Sequence, residues 1–474
     1  MAAFNAITTD LTGLGNTLKI VYDKKAIRNL LGINSPLLRM IKKERVEGIS
    51  WNWPVLYSQS PAVAADFTVA QGLITTMNAQ QIAVTPGMLW APYNTTAAEI
   101  KAGATAVGAF PPTPPALLVR HFAATDSFRK ALDVCAYGSG FGEIGTVQSS
   151  LSNAATTMVI LNNTRAALGL GYQFQFTNNA NGLPSDPIVS GGPYTVTGFT
   201  AGSTAGQSIM TFSPGVTNGP IAQGAWIVMQ GFRASATSTS PYGPLGLGAW
   251  VPTYGNRTTA GFTSYIATPL FGLTRNTDIS RLAGGFYLAQ QNGEKRIDGL
   301  LEALRVVRDQ GGEANMVIAN SITVKKVMQE LTGSLTYFQQ TSGGSKGDPN
   351  DATRGFREME INFLDSQAKI VADPFCPLDV AYVMPREIFA IRSYTNSETP
   401  TQETGVPEGD KEGTMDIADV DIPPEDYKFL TNDYITVQPG TAIAYGPQLQ
   451  IIVQFVGNYT LDNPAHVCVV AGLI

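Results

Sequence analysis

Tyr137-Gly-Ser-Gly-Phe-Gly-Glu-Ile-Gly145 is the most informative segment of the chain. Gly140, Gly142 and Gly145 have the G-x-G-x-x-G spacing of a dinucleotide-binding fingerprint. That fingerprint needs a strand before the glycines and a helix after them, so that a pyrophosphate rests on the helix N-terminus. Here the order is reversed. A helical pattern runs into the glycines, with Leu118, Phe122, Phe128, Leu132 and Cys135 near the helical period, and a Thr/Ser/Val-rich strand pattern leaves them. The glycines therefore read as a structural turn: Gly138 ends a helix, where a glycine C-cap belongs, and Gly140, Gly142 and Gly145 turn the chain.

Upstream, Pro111-Pro-Thr-Pro-Pro115 supplies a start for that helix, with Thr113 as cap and Pro114 in the first position. A helix over 114–136 is about 34 Å long. Downstream, 143–235 is rich in Gly, Ser, Thr and Asn, with short strand signals at 156–161, 194–199, 209–212 and 225–229. It reads as a small β-rich insert. Beyond it, a helix over 296–310 stops at Gly311-Gly312, and a strand at 315–318 precedes a helix over 321–331. Strands follow near 370–371, 381–384 and 388–391, then an alternating run at 449–455 and an apolar run at 467–470. The fold class is α+β.

Before the helix, Ile49, Trp51, Trp53, Val55 and Tyr57 alternate with smaller or polar residues, and Pro54 suits an edge strand. A polar, Ala/Gln-rich tip follows at 59–80, and the chain returns through Ile82, Met88, Trp90 and Tyr93. This reads as one long hairpin-like excursion, and a lone hairpin is marginal in water. Trp51, Trp53, Tyr57 and Trp90 must rest on something, either this chain's own core or a neighbouring subunit. Residues 1–47 form a moderately basic arm. Residues 398–426 form an acidic loop without calcium-loop spacing, read as solvated.

Of 474 residues only 14% are charged, below the roughly 25% of soluble domains. Interface cores are depleted of charge, so partner copies are one candidate cover for the surface. A net charge of -6 and a pI near 5.1 argue against a dedicated DNA-binding protein. Cys135, Cys376 and Cys468 lie far apart and carry neither a disulfide framework nor zinc spacing. His121 and His466 have no metal-ligand neighbour at helical or hairpin spacing. No apolar run reaches a membrane span, no secretory signal is visible, and the initial Met argues against a removed pro-segment. No Gly-x-Ser-x-Gly elbow, Walker loop or His-Glu-x-x-His helix occurs, and no acidic pair stands out, so the expectation is a chain with no catalytic, cofactor or metal site.

Several segments, in order, resemble one family. The exit Tyr137-Gly-Ser-Gly-Phe-Gly is similar to the Gly-rich end of the long helix in tailed-bacteriophage major capsid proteins. Gly246-Leu-Gly-Ala-Trp-Val-Pro252 resembles their Gly-Leu-x-x-Trp-x-Pro return after an insert. Phe271-Gly-Leu-Thr-Arg275 and Arg281-Leu-Ala-Gly-Gly285 follow in place, and Asp373-Pro-Phe-Cys-Pro377 resembles their Asp-x-x-Cys-Pro turn.

The resemblance implies the HK97-type capsid fold. Its parts would be an N-terminal arm at 1–47, an E-loop at 48–110 and a P-domain with its spine helix at 111–142. The insert at 143–235 departs from the minimal fold and would contact neighbours or take a decoration protein. An A-domain would occupy most of 236–430, and C-terminal strands at 431–474 would return to the P-domain. The function implied is a shell of pentamers and hexamers enclosing double-stranded DNA, assembled in the host bacterial cytoplasm and ending in the virion. The implied partners are other copies, a portal protein, scaffolding and decoration proteins, and non-specific contact with the packaged DNA, without a membrane. Trp51, Trp53, Tyr57 and Trp90 become candidate contacts between subunits. Some family members crosslink through an E-loop lysine; no Lys occurs between Lys43 and Lys101, so no such crosslink is expected. A phage tail or adhesin protein and a β-rich hydrolase are the competing readings.

Overall fold

The structure, a computed structural model, describes residues 35–46, 50–56, 63–73, 79–96, 116–161, 164, 167–189, 192–204, 206–217, 219–233, 235–237, 240–253, 260–289, 294–332, 359–363, 366–393, 432–437 and 448–473. Most of the arm, Tyr57, the proposed cap Thr113 and the acidic loop lie outside these residues.

A short helix, α1 (Pro36–Met40), leads into β1 (Lys42–Arg45). Lys and Glu are poor strand formers, so β1 owes its shape to parallel pairing with a later strand, Lys42 facing Ala390 and Arg45 facing Ser393. β2 (Trp51–Leu56) carries the tip helix α2 (Phe67–Gly72) and pairs antiparallel with β3 (Ala79–Val84), Trp51 opposite Val84 and Trp53 opposite Ile82. The return strand of the sequence reading divides here. Thr85-Pro86 ends the pairing, since proline cannot donate to a ladder. β4 (Gly87–Thr96), with Trp90, leaves the hairpin and pairs along its length with the long C-terminal strand, Gly87 opposite Gly457 and Thr96 opposite Gln448.

The long helix α3 spans Ala116–Tyr137. After it, β5 (Glu143–Thr146), β6 (Thr157–Leu161), β7 (Gln173–Phe176), β8 (Tyr194–Ala201), β9 (Gln207–Ser213) and β10 (Trp226–Met229) form one antiparallel sheet in the order β5-β10-β7-β8-β9-β6. Alternation along β6 and β9 turns Met158, Ile160, Met210 and Phe212 inward. Phe174, Phe176, Tyr194 and Phe212 meet with ring centroids 5.1–6.0 Å apart, several edge to face. This core is separate from the two others. A fragment of residues 143–235 is therefore expected to fold alone, with one cooperative thermal transition of about 60 kcal/mol; calorimetry showing no transition would mean that the insert borrows its core.

The chain returns through α4 (Leu247–Trp250), α5 (Ala260–Ala267) and α6 (Ile279–Leu282). β11 (Gly285–Leu288), α7 (Arg296–Asp309), β12 (Met316–Ala319), α8 (Ser321–Thr332), β13 (Met359–Phe363), β14 (Ser366–Ala372) and β15 (Val380–Met384) then build a mixed sheet. Its order is β11-β19-β15-β12-β14-β13, where β19 (Cys468–Ala471) is the last strand of the chain. Its central strands β19, β15 and β12 are covered on both faces and are apolar throughout, while β14 and β13 carry Lys369, Gln367, Glu360 and Asn362. Met316, Ile318, Tyr382, Met384 and Val469 face the main core, while Val317, Ala319, Ala381, Val383 and Val470 face α7 and α8. β16 (Phe389–Ser393), β17 (Asn432–Val437) and β18 (Gln448–Leu461) join β1 and β4 in a further sheet. The C-terminal strands thus part company. β18 lies against α3, Tyr459 OH donating to Leu132 O at 2.9 Å, whereas β19 inserts between β11 and β15.

Candidate functional site

The end of α3 is the joint of the molecule. Gly138 N donates to Val134 O and Cys135 O at 3.1 Å each, which closes the helix. Gly140 and Gly142 take φ of +87° and +68°, a region that glycine enters freely. Gly145 serves another purpose, since a Cβ there would strike the Thr164 side chain. The departing and returning strands bind each other at a neck: Gly243 N donates to Gly140 O at 3.1 Å, and Gly246 N to Gly138 O at 3.0 Å. Trp250, fully buried, donates from Nε1 to Tyr459 O at 3.0 Å. Beside it, Asp373 accepts from Ser35 Oγ at 2.6 Å, Tyr137 OH at 2.8 Å, Leu37 N at 3.3 Å and Phe375 N at 2.9 Å. Burial pushes the Tyr137 phenol well up, and the neighbouring Asp373 charge adds to this.

The hairpin root rests on the same joint. Trp51 is 6% exposed and belongs to this chain's core. Trp53, half-buried, stacks on Trp250 at 6.4 Å between centroids. β3 is pinned from outside: Ala83 N donates to Phe271 O at 2.8 Å, and Thr274 N to Gln80 Oε1 at 2.7 Å. Of the candidate contacts between subunits, Trp51 is buried in this chain's own core and Trp53 lies half-buried against Trp250. Trp90 is 55% exposed on β4, away from the hairpin pairing.

No family model matches this chain, and no curated protein matches it. Solved chains are similar to it at low identity. The capsid asymmetric unit of cyanophage A-1(L) has 11% identity and a TM-score of 0.44, over 93% of each chain. The holo-SrpI encapsulin complex from Synechococcus elongatus has 8% identity and a TM-score of 0.39, over 95% of each. A virus-like particle from Pyrococcus furiosus has 7% identity and a TM-score of 0.34, over 94% of this chain and 96% of that one. At these scores the likeness carries no weight for function, which rests on this chain's own residues.

Among the described residues the hairpin tip groups the most exposed apolar side chains. The sequence reading made it polar; it presents Leu56, Val63, Phe67, Val69 and Leu73 to solvent, Val63 at 89% and Phe67 at 78% exposure. α2 buries none of its residues. What shapes it is its cap: Asp66 Oδ1 accepts from Thr68 N at 2.7 Å and Thr68 Oγ1 at 2.6 Å. The apolar residues were visible in the sequence, but the flanking Ala and Gln residues diluted them.

The remaining chemistry is structural in placement. Burial pushes the thiols of Cys135 and Cys376 up, away from thiolate reactivity. Burial likewise raises the Glu143 carboxyl at the joint, against the hydrogen bonds that Ser139 donates to it. His466 lies 3.1 Å from Asn463 Nδ2. Among the described residues no group of three or more His, Cys, Asp or Glu is placed to hold a metal ion.

Proposed function

We propose that this chain is the shell-forming major capsid protein of a tailed bacteriophage. One observation carries the proposal. The motifs behind the family resemblance, scattered from Tyr137 to Pro377, converge on one joint at the end of α3. Gly246 lies on the helix terminus, Phe271 holds the hairpin root and contacts Trp250 at 5.6 Å, and Asp373 ties Tyr137 to the arm at Ser35. Such a joint fixes where an arm, a hairpin and an insert leave a common body. The uncovered apolar tip adds the second half: an exposed patch of this kind marks an interaction site.

In this reading the tip lies on a neighbouring copy, and pentamers and hexamers close into a shell around double-stranded DNA. Trp51, Trp53, Tyr57 and Trp90 remain the candidate contacts between copies, Trp90 being the one most exposed among those described. The separate insert would meet neighbours or a decoration protein, and a portal and scaffold would complete the particle. Low surface charge suits many shared interfaces, and a mildly acidic wall does not hold DNA as Lys and Arg would.

Purified protein viewed by negative-stain microscopy is expected to form capsomers or closed shells; a dispersed monomer at high concentration would overturn the proposal. Phe67→Asp removes nothing from the subunit core. It is expected to leave the melting temperature within about 2 °C of the parent. It should raise the concentration needed for assembly more than about tenfold, the equivalent of about 1.4 kcal/mol. Unchanged assembly would remove the tip from the interface.

A further inference from the structure

Arg392 on β16 lies directly across from Glu44 on β1. Its Nε donates to Glu44 Oε2 at 2.7 Å, its Nη2 lies 3.3 Å from Asp462 Oδ1, and its Cζ sits 5.0 Å from the centre of the Trp53 ring. Lys42 Nζ stands 2.6 Å from the other oxygen of Glu44. One guanidinium therefore touches the arm strand, the hairpin root and the end of β18. β1 and β2 belong to different sheets and share no ladder. β1 is a four-residue edge strand of charged residues, so its apolar anchorage lies at its ends, in Ile41 and Val46, and not in its own side chains. Arg392 is 16% exposed and Glu44 26%, so their pair is shielded from the screening that weakens surface ion pairs. A planar guanidinium also binds a carboxylate through its edge while its face lies over an aromatic ring, a flat geometry that an ammonium lacks.

We propose that Arg392 couples the arm strand to the hairpin root, so that the two are released together, and that acid releases them through Glu44. The coupling belongs to the single chain and does not depend on assembly. The charged groups around Arg392 are Glu44 and Lys42 from β1 and Asp462 after β18. Burial alone raises the Glu44 carboxyl, but hydrogen bonds from Lys42 and Arg392, with the charges behind them, leave it below its ordinary value. Asp462 is raised, chiefly by burial, against the pull of Arg392. The two respond oppositely. A lowered carboxyl stabilises the fold above its ordinary value, and that stability is lost as pH falls through the lowered one. A raised carboxyl favours the fold when protonated, so acid relieves Asp462. Glu44 is the acid-labile half of the latch.

Hydrogen exchange of the full chain, corrected for intrinsic rates, tests this. Arg392→Lys keeps the charge and loses the flat fork. Exchange at 42–45 and 51–56 is expected to rise together, by about fivefold, with 380–384 unchanged. In the parent chain the same two stretches should lose protection as pH falls from about 5 downward through the lowered Glu44 value, and Glu44→Gln should abolish that dependence. Trp53→Leu, which leaves the ion pairs intact, should loosen 42–45 as well as 51–56. Loosening of 42–45 alone in Arg392→Lys, or pH dependence that survives Glu44→Gln, would overturn the coupling.

Discussion

Asp373→Ala is expected to destabilise the subunit by about 3–5 kcal/mol, read as a lower midpoint of urea unfolding at unchanged slope. The carboxylate is fully buried and accepts from four donors on three separate parts of the chain: Ser35 and Leu37, Tyr137, and Phe375. Truncation leaves the Ser35 hydroxyl, the Leu37 amide and the Tyr137 phenol without an acceptor in a site that water does not reach. Each orphaned donor costs about 1–3 kcal/mol, and relief of the carboxylate's own desolvation offsets part of the sum. Asp373→Asn retains an acceptor oxygen but points an amide at the same donors, so an intermediate loss is expected. A second readout separates this node from general weakening. Protease cleavage before Ile41 should speed up under conditions where the rest of the variant stays folded, because Ser35 and Leu37 lose their anchor. A loss below about 1 kcal/mol would show that the node is not a principal tie between arm and helix.

That node also marks the limit of what the sequence discloses. α3 was legible because five apolar residues keep the helical period up to a glycine, and its observed end at Tyr137 is one residue past the expected one. α7 and α8 were legible for the same reason, and β12 and β15 through unbroken apolar runs. β5 and β7 were missed for different reasons: Glu-Ile-Gly-Thr is too short to show alternation, whereas Tyr172, Phe174 and Phe176 do alternate with Gln173 and Gln175 and were hidden only by the Gly- and Asn-rich segments around them. The parting of β3 and β4 was missed because a proline such as Pro86 does not by itself divide an extended segment until the partner of β4 is known. Trp51 and Trp53 were ambiguous for a deeper reason. Alternation says that a strand has an apolar face, but what covers that face is set by residues far along the chain, here Trp250 and Arg392. The ties at Asp373 link residues 236 and 338 positions apart, and no local pattern reports such a separation.

Gly246→Ala is the other change expected to weaken the chain severely, by about 3 kcal/mol. The reason is space, not backbone freedom. Gly246 has φ of -90°, which any residue adopts. A methyl group there would fall inside 3.0 Å of the Cys135 and Ala136 carbonyl oxygens, at the last turn of α3. Backbone carbonyls cannot rotate away as a side chain would. Either the helix end or the returning strand must shift, and both are fixed: Gly246 N donates to Gly138 O, and four residues later Trp250 fills the core beneath Tyr459. The strain should therefore spread into the packing of Trp250 against Trp53 and reach the hairpin root. Gly72→Ala is the matched control, since nothing lies within 4 Å of a Cβ at that position and alanine suits the helix there better. Paired thermal melts should show a fall of several degrees for Gly246→Ala and none for Gly72→Ala. If Gly246→Ala melts with the parent, the joint at the end of α3 yields easily, and the arm, hairpin and insert are not held in the fixed relation that a shell subunit needs.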